Sequence, residues 1–171
     1  MKNCLIIVDM QNDFITGSLG TEEAKAIVPF VKARIEKAIS DGDDLIFTED
    51  THTKDYLNTK EGQKLPIEHC IEWTDGHHIC PELEPYTKNA KKIINKNTFG
   101  YKDLPLYVAP YDNITLIGLC TDVCVISNAM LLKAFYPEKN YYIEEKCCAG
   151  TSPENHDIAI KAMKLCQFDI I

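Results

Sequence analysis

Short runs rich in apolar residues alternate with longer segments of helical periodicity along this chain. The short runs cover residues 5–8, 45–48, 92–95, 114–117, 141–144 and 168–171. A brief, nearly continuous apolar run is typical of a parallel strand that is buried on both faces. Between these runs, apolar residues return every three or four positions. This spacing predicts helices over about 21–40, 103–108, 121–135 and 152–166.

The alternation of strands and helices predicts an α/β fold. Parallel strands need crossover helices, and right-handed crossovers place those helices on both faces of the sheet. We therefore expect a three-layer α/β/α architecture with a mostly parallel, Rossmann-like sheet of about six strands. The length of 171 residues suits a single domain over residues 1–171. The least regular part, residues 53–91, is expected to form a functional loop or lid with a short helix over 81–87.

Composition and charge narrow the choice of partners and compartment. Apolar residues make up 45% of the chain, so a real core can form. The net charge of −8 argues against binding nucleic acid or an anionic membrane surface. There is no apolar run long enough to span a membrane, and the first apolar run is too short for a signal peptide. The 8 cysteines show no paired metal or disulfide spacing, which favours reduced thiols in the cytoplasm.

The segment IGLCTDVCVISNAM places a cysteine where a helix follows a buried strand. Gly118 ends the strand, and Thr121 and Asp122 stand where a helix N-cap belongs, so Cys124 falls in the first turn. Free backbone N–H groups and the helix dipole lower a cysteine pKa at such a place, and they can also hold an oxyanion. Cys124 is therefore a candidate nucleophile. The alternative is a small, buried core residue.

Two further reactive side chains follow strand ends. Asp9 comes after the first apolar run and Lys96 after the third. If these strands are neighbours, both side chains meet Cys124 at the carboxyl edge of the sheet, where open α/β sheets place their chemistry. A carboxylate can accept the thiol proton, and an ammonium can stabilise a thiolate. Taken singly, the aspartate could instead be a turn residue and the lysine a solvated one.

A second group has the composition of a metal site. Asp50 and His52 form a D-x-H pair at a strand end, where side chains two apart share one side of the chain, and His69 can return on a loop. One carboxylate and two imidazoles suit Zn²⁺, with Fe²⁺ or Mn²⁺ as alternatives. A D-x-H pair also occurs by chance. The other three histidines are expected at the surface: His77, His78 and His156.

Six motifs, in order, resemble the isochorismatase-like cysteine hydrolases, and within them the nicotinamidase-like amidases. They are LIIVDMQNDF with GSLG, EDTH, LPIEHC, INKNTFGYKDL, IGLCTDVCVISNAM and CCAGTSPENH. The resemblance covers nearly the whole chain. It implies the isochorismatase-like hydrolase fold, a catalytic triad and a divalent metal, with zinc as the first choice. The implied triad is Asp9, Lys96 and Cys124, and the implied metal ligands are Asp50, His52 and His69.

The resemblance also implies an oxyanion hole and part of a substrate pocket. A cis peptide bond between Leu119 and Cys120 would aim the Cys120 N–H at the oxyanion together with that of Cys124. Phe14 matches an aromatic residue that lines the family's pocket. The family's pocket tryptophan is replaced by Leu65, and one residue is added between the following proline and histidine. The identity of the amide is left open by this change, as is any contribution of the only tryptophan.

The function expected from these features is hydrolysis of a small carboxamide through a thioester intermediate, with release of ammonia. The partner would be a small amide rather than nucleic acid or membrane, and the resemblance allows a homo-oligomer. Two alternatives stay open at this point. One is isochorismatase-type hydrolysis of a vinyl ether, which needs neither thiol nor metal. The other is a non-catalytic protein that binds a metal or responds through its thiols.

Overall fold

A computed structural model describes all 171 residues, and its centre is one parallel sheet of six strands. The strands are β1 (Asn3–Val8), β2 (Asp44–Asp50), β3 (Ala90–Lys96), β4 (Asn113–Leu119), β5 (Asn140–Ala149) and β6 (Asp169–Ile170). Their order across the sheet is β3-β2-β1-β4-β5-β6, and every pair is parallel. The expected α/β fold with about six strands is confirmed, and the sheet is parallel throughout rather than mostly so.

The α-helices are α1 (Asn12–Ile15), α2 (Glu22–Asp41), α3 (Lys60–Lys64), α4 (Leu104–Val108), α5 (Ile126–Phe135) and α6 (Pro153–Leu165). The long helix α2 begins where the Thr21 hydroxyl accepts a hydrogen bond from the Ala24 N–H at 3.0 Å. It ends at Gly42, whose φ of +79° suits glycine. Pro29 lies inside α2 without dividing it.

Two apolar cores lie on opposite faces of the sheet because neighbouring residues of a strand point to opposite sides. Leu5 and Ile7 of β1 face the core that holds the apolar side of α2. Ile6 and Val8 face the other core, which includes buried residues of α4, α5 and α6. Since β1 is fully covered on both faces, its uninterrupted apolar sequence is explained, and the three-layer architecture is confirmed.

Close packing at the centre of the sheet depends on one glycine. Gly118 of β4 has a φ of +112°, and a Cβ atom there would lie 2.2 Å from the Val8 carbonyl oxygen. Only glycine allows β4 to approach β1 in this conformation. The strand order reverses between β1 and β4, which is where parallel α/β sheets open a crevice at their carboxyl ends.

Residues 53–91, the least regular part of the chain, contain several short helical turns. Besides α3, this part holds three 3₁₀ turns: Tyr56–Asn58, Asp75–His77 and Glu84–Asn89. The helix expected over 81–87 is thus a 3₁₀ turn that begins and ends slightly later. None of the helices is both long enough and apolar enough to cross a membrane.

Candidate active site

Three side chains from separate strand ends meet at the carboxyl edge of the sheet. The Lys96 Nζ lies 2.7 Å from Asp9 Oδ2 and 3.3 Å from the Cys124 Sγ. The Lys96 and Asp9 side chains are fully buried, and Cys124 is only 4% exposed. The Thr48 hydroxyl donates to the other carboxylate oxygen of Asp9 at 2.6 Å. The structure thus brings together the three residues that the sequence suggested as a triad.

Burial and charge set the ionisation of this group. Burial tends to lower the pKa of Lys96, but the neighbouring Asp9 and Cys124 charges hold it well above its ordinary value. Burial raises the pKa of Asp9, and the Lys96 charge opposes that rise. Burial also raises the pKa of the Cys124 thiol, with the Asp9 charge adding to the effect. A cysteine in a first helical turn is expected to have a lowered pKa, but burial and the Asp9 charge raise it here, so the thiol needs a base to remove its proton.

The turn that carries Cys124 is wider than the α-helical turn expected from the sequence. Residues Thr121–Val125 form a single π-helical turn that begins at Cys120. The interpretation of Thr121 and Asp122 as N-cap residues is wrong, because both side chains bond to other elements. The Asp122 carboxylate accepts from the Thr151 N–H at 2.8 Å and from its hydroxyl at 2.6 Å. These bonds tie the turn of Cys124 to the loop after β5.

Thr121 makes the second of these ties. Its hydroxyl lies 2.8 Å from His156 Nδ1, on the first turns of α6. His156 therefore packs against the turn of Cys124 and is half-buried, whereas the sequence predicted a surface position. His77 is also half-buried, with its Nε2 2.9 Å from the Thr51 hydroxyl, whereas His78 is exposed as expected.

The backbone next to Cys124 offers a free donor. The peptide bond between Leu119 and Cys120 is cis, as the resemblance implied. The Cys120 N–H donates to no group of the chain. The Cys120 carbonyl instead accepts from the N–H groups of Val123 and Val125, at 3.1 Å each. A donor beside the cavity is therefore available to an oxygen atom of a ligand.

A second cluster, which we call the four-ligand cluster, adjoins the triad: Asp50, His52, Glu61 and His69. One potential ligand atom from each lies within 4.8 Å of all the others. The Asp50 Oδ2 is 2.9 Å from His52 Nε2 and 3.4 Å from His69 Nε2. Glu61 Oε1 is 3.6 Å and 3.8 Å from the same two nitrogens.

This donor set fits a divalent metal. Two imidazoles and two carboxylates suit borderline cations such as Zn²⁺, Fe²⁺ or Mn²⁺. His69 Nδ1 lies 2.8 Å from the Ile67 carbonyl oxygen, which favours a proton on Nδ1 and leaves Nε2 free as a ligand. Glu61 was missed by the sequence analysis. It lies in the short helix α3 with no recognisable spacing from the D-x-H pair, so only the folded chain reveals it.

Asp50 connects the two clusters through its two carboxylate oxygens. Its Oδ1 lies 3.2 Å from Lys96 Nζ, while its Oδ2 faces the histidines. Burial works to raise the pKa of Asp50, but hydrogen bonds from the two histidines and the Lys96 charge hold it well below its usual range. The fully buried Gln11 side chain bonds to both the N–H and the carbonyl of Asp50, at 2.7 Å and 2.8 Å.

A cavity of about 410 Å³ opens above Cys124. Its apolar wall includes Phe14 and Leu65, as expected, and also Leu19, Phe99 and Val123. Glu61, His69 and Thr151 add polar groups to the lining. Trp73 lies outside the cavity and is 85% exposed, so it does not replace the missing pocket tryptophan. A larger depression of about 670 Å³ beside α1 and α2 contains none of the triad residues.

Comparisons with known proteins agree with this geometry. Residues 3–171 match the isochorismatase domain family. The chain is 26% identical to the nicotinamidase of Schizosaccharomyces pombe, over 98% of this chain and 91% of that one. It superposes on nicotinamidase/pyrazinamidase from Bacillus subtilis with a TM-score of 0.88 and 28% identity, over 99% of each chain. It also resembles the pyrazinamidase of Pyrococcus horikoshii in complex with zinc: TM-score 0.84, 25% identity, covering 100% of this chain and 99% of the other.

Proposed function

The chain belongs to the isochorismatase family, and from this premise we propose that it is a cysteine hydrolase that cleaves the C–N bond of a small carboxamide. The observation that carries the proposal is the position of Lys96, whose ammonium contacts both the Asp9 carboxylate and the Cys124 sulfur. Nicotinamidase relatives support an amide substrate. We further propose that residues 1–171 act as one domain, because all six strands belong to one sheet.

In the proposed acylation step, the Asp9 carboxylate takes the proton of the Cys124 thiol. The thiolate attacks the amide carbonyl, and a C–S bond forms. The N–H groups of Cys120 and Cys124 would hold the oxyanion, at roughly 3–4 kcal/mol for a well-placed donor. Asp9 returns the proton to the amide nitrogen, the C–N bond breaks and ammonia leaves. The raised pKa of Asp9 suits this exchange, because a carboxyl group with a raised pKa is a better proton acceptor.

Deacylation reuses the same carboxylate. Asp9 takes a proton from a water molecule, the resulting hydroxide attacks the thioester carbonyl, and the C–S bond breaks. Asp9 returns this proton to the released thiolate as the carboxylic acid departs, which restores the carboxylate and the thiol. Throughout the cycle Lys96 stays charged, since its pKa lies well above neutrality, and it stabilises whichever neighbour is anionic.

The four-ligand cluster is proposed to hold one divalent metal, with zinc as the first choice. Such an ion would polarise a bound carbonyl or water. Asp50 would be shared between this ion and Lys96. The structures of relatives that resemble this chain include a zinc complex, which supports the proposal. The free state of all eight cysteines supports a reducing compartment such as the cytoplasm.

Two alternatives are less well supported by the geometry. Hydrolysis of a vinyl ether needs no thiol, so it gives no role to the buried contact between Lys96 and Cys124. A non-catalytic thiol or metal-binding protein would not need the free Cys120 N–H beside a cavity lined partly by apolar side chains. Homo-oligomer formation and the absence of nucleic-acid partners stay predictions.

The test measures ammonia release from a panel of neutral carboxamides. We expect Cys124→Ala to abolish turnover, and mass spectrometry after an acid quench to find the acyl group on Cys124 of the wild-type chain. Cys166→Ala is the matched control, because this exposed thiol lies outside the site and its loss should leave activity unchanged. Full activity in Cys124→Ala would reject the covalent route.

A further inference from the structure

The loop that follows Lys96 lies directly against α5, the helix that continues from the turn of Cys124. This loop, residues 97–101, which we call the pocket loop, joins β3 to the segment before α4 and carries Phe99 into the cavity lining. Its contact with α5 is close: a Cβ atom at Gly100 would lie only 3.2 Å from the Ser127 carbonyl oxygen. Phe99 itself is 45% exposed, so apolar packing alone holds it weakly.

The buried side chain of Asn128 attaches the pocket loop to α5 through hydrogen bonds. The Asn128 amide is completely inaccessible to solvent and lies one turn after Cys124. Its Nδ2 donates to the Cys124 carbonyl at 2.8 Å and to the Phe99 carbonyl at 3.2 Å. Its Oδ1 accepts from the Tyr101 N–H at 2.9 Å. The same amide therefore bonds the carbonyl of the nucleophile and two backbone groups of the pocket loop.

The arrangement favours the docked loop strongly. Two of the three Asn128 hydrogen bonds, the one donated to Phe99 and the one accepted from Tyr101, form only when the loop is in place. If the loop lifted, a buried donor and a buried acceptor would lose their partners, and such groups are costly to leave unpaired. An apolar residue at position 128 could not impose this condition.

We propose that Asn128 is a positioning residue that locks the pocket loop to α5 and so holds Phe99 over the substrate cavity. The inference rests on the proposed function, in which this cavity receives the acyl part of the amide. Asn128 touches no reacting atom. It acts through Phe99, and its effect falls on substrate binding rather than on the chemical step.

The decisive variant is Asn128→Ser. A helical serine can donate to the carbonyl four residues earlier, so the bond to Cys124 is kept, but its hydroxyl is too short to reach the pocket loop. Asn128→Ala removes all three bonds. We expect both variants to raise KM about tenfold with kcat within about twofold of wild type, and to speed hydrogen exchange at the Tyr101 amide. In a Phe99→Ala background, Asn128→Ser should add nothing further to KM.

The matched control is Leu132→Ala, which removes a fully buried apolar side chain one turn further along the same helix and none of the hydrogen bonds of Asn128. It should leave KM and the Tyr101 exchange rate relative to global unfolding unchanged. The inference is overturned if Asn128→Ser keeps wild-type exchange at Tyr101, or if exchange speeds up while KM does not change. If no carboxamide releases ammonia, the proposed function fails, but the exchange measurement still decides whether Asn128 holds the loop.

Discussion

Replacing Lys96 by methionine would remove an ammonium from a buried cluster of charged groups. The ammonium lies 2.7 Å from a carboxylate oxygen of Asp9 and 3.2 Å from one of Asp50, and none of the Lys96 side chain is exposed. Methionine fills a similar volume, so the loss is mainly electrostatic. Breaking a buried ion pair by removing one partner costs roughly 3–5 kcal/mol, because a charge is left without compensation. We expect the free energy of unfolding at pH 7 to fall by about this amount.

The pH dependence gives this prediction its sign. In wild type, burial already raises the pKa of Asp9, and Lys96 is a cause that lowers it. Without Lys96, the pKa of Asp9 rises further above its unfolded value of about 3.9. At a pH between the unfolded and the folded pKa of Asp9, the folded variant keeps a proton that the unfolded chain has released. The stability of the variant relative to wild type therefore falls as the pH rises through this range. The deficit at pH 7 should therefore shrink at pH 5.

Urea unfolding followed by far-ultraviolet circular dichroism would measure the effect, since the single tryptophan is exposed and its fluorescence reports little on the core. A chelator in all samples removes any stabilisation by a bound metal. Lys91→Met is the matched control, because Lys91 is in the same strand with a side chain 64% exposed and should cost about 0.5 kcal/mol or less. The reasoning fails if the two variants lose equal stability, or if the Lys96 deficit grows on acidification.

Three other measurements test further parts of the structure. Gly118→Ala places a Cβ 2.2 Å from a backbone oxygen of β1 and should cost at least about 3 kcal/mol of unfolding free energy. In the control Gly42→Ala, the new Cβ meets no neighbouring atom, so the cost should be only about 1 kcal/mol for the positive φ. Glu61→Gln should weaken zinc binding about tenfold or more in equilibrium dialysis, and unchanged affinity would remove this residue from the ligand set. Gln11→Leu should lower the melting temperature and the zinc affinity together, since both depend on the backbone of Asp50; loss of stability alone would limit Gln11 to a structural role.

Much of the fold and part of the site follow from the sequence, because they depend on short-range patterns. Short runs rich in apolar residues marked the strands, and the run of β1 is continuous because that strand is covered on both faces. In a parallel sheet all carboxyl ends lie at one edge, so residues that follow strands are expected together. On this basis Asp9, Lys96 and Cys124 were expected at one edge, provided that their strands are neighbours, and the D-x-H pair of Asp50 and His52 at a strand end.

Only the tertiary structure decided the pKa values of these groups, their hydrogen-bond partners and the fourth residue of the four-ligand cluster. Desolvation raises the pKa of the Cys124 thiol, and burial depends on the whole surrounding chain. Asp122 looked like a helix cap but bonds to the loop after β5, and Glu61 belongs to the four-ligand cluster although its sequence spacing does not indicate this. Such contacts join residues that are distant along the chain and leave no local periodicity. The sequence thus determined which elements form and at which edge they meet, whereas long-range packing determined the dielectric surroundings and the partners of each reactive group.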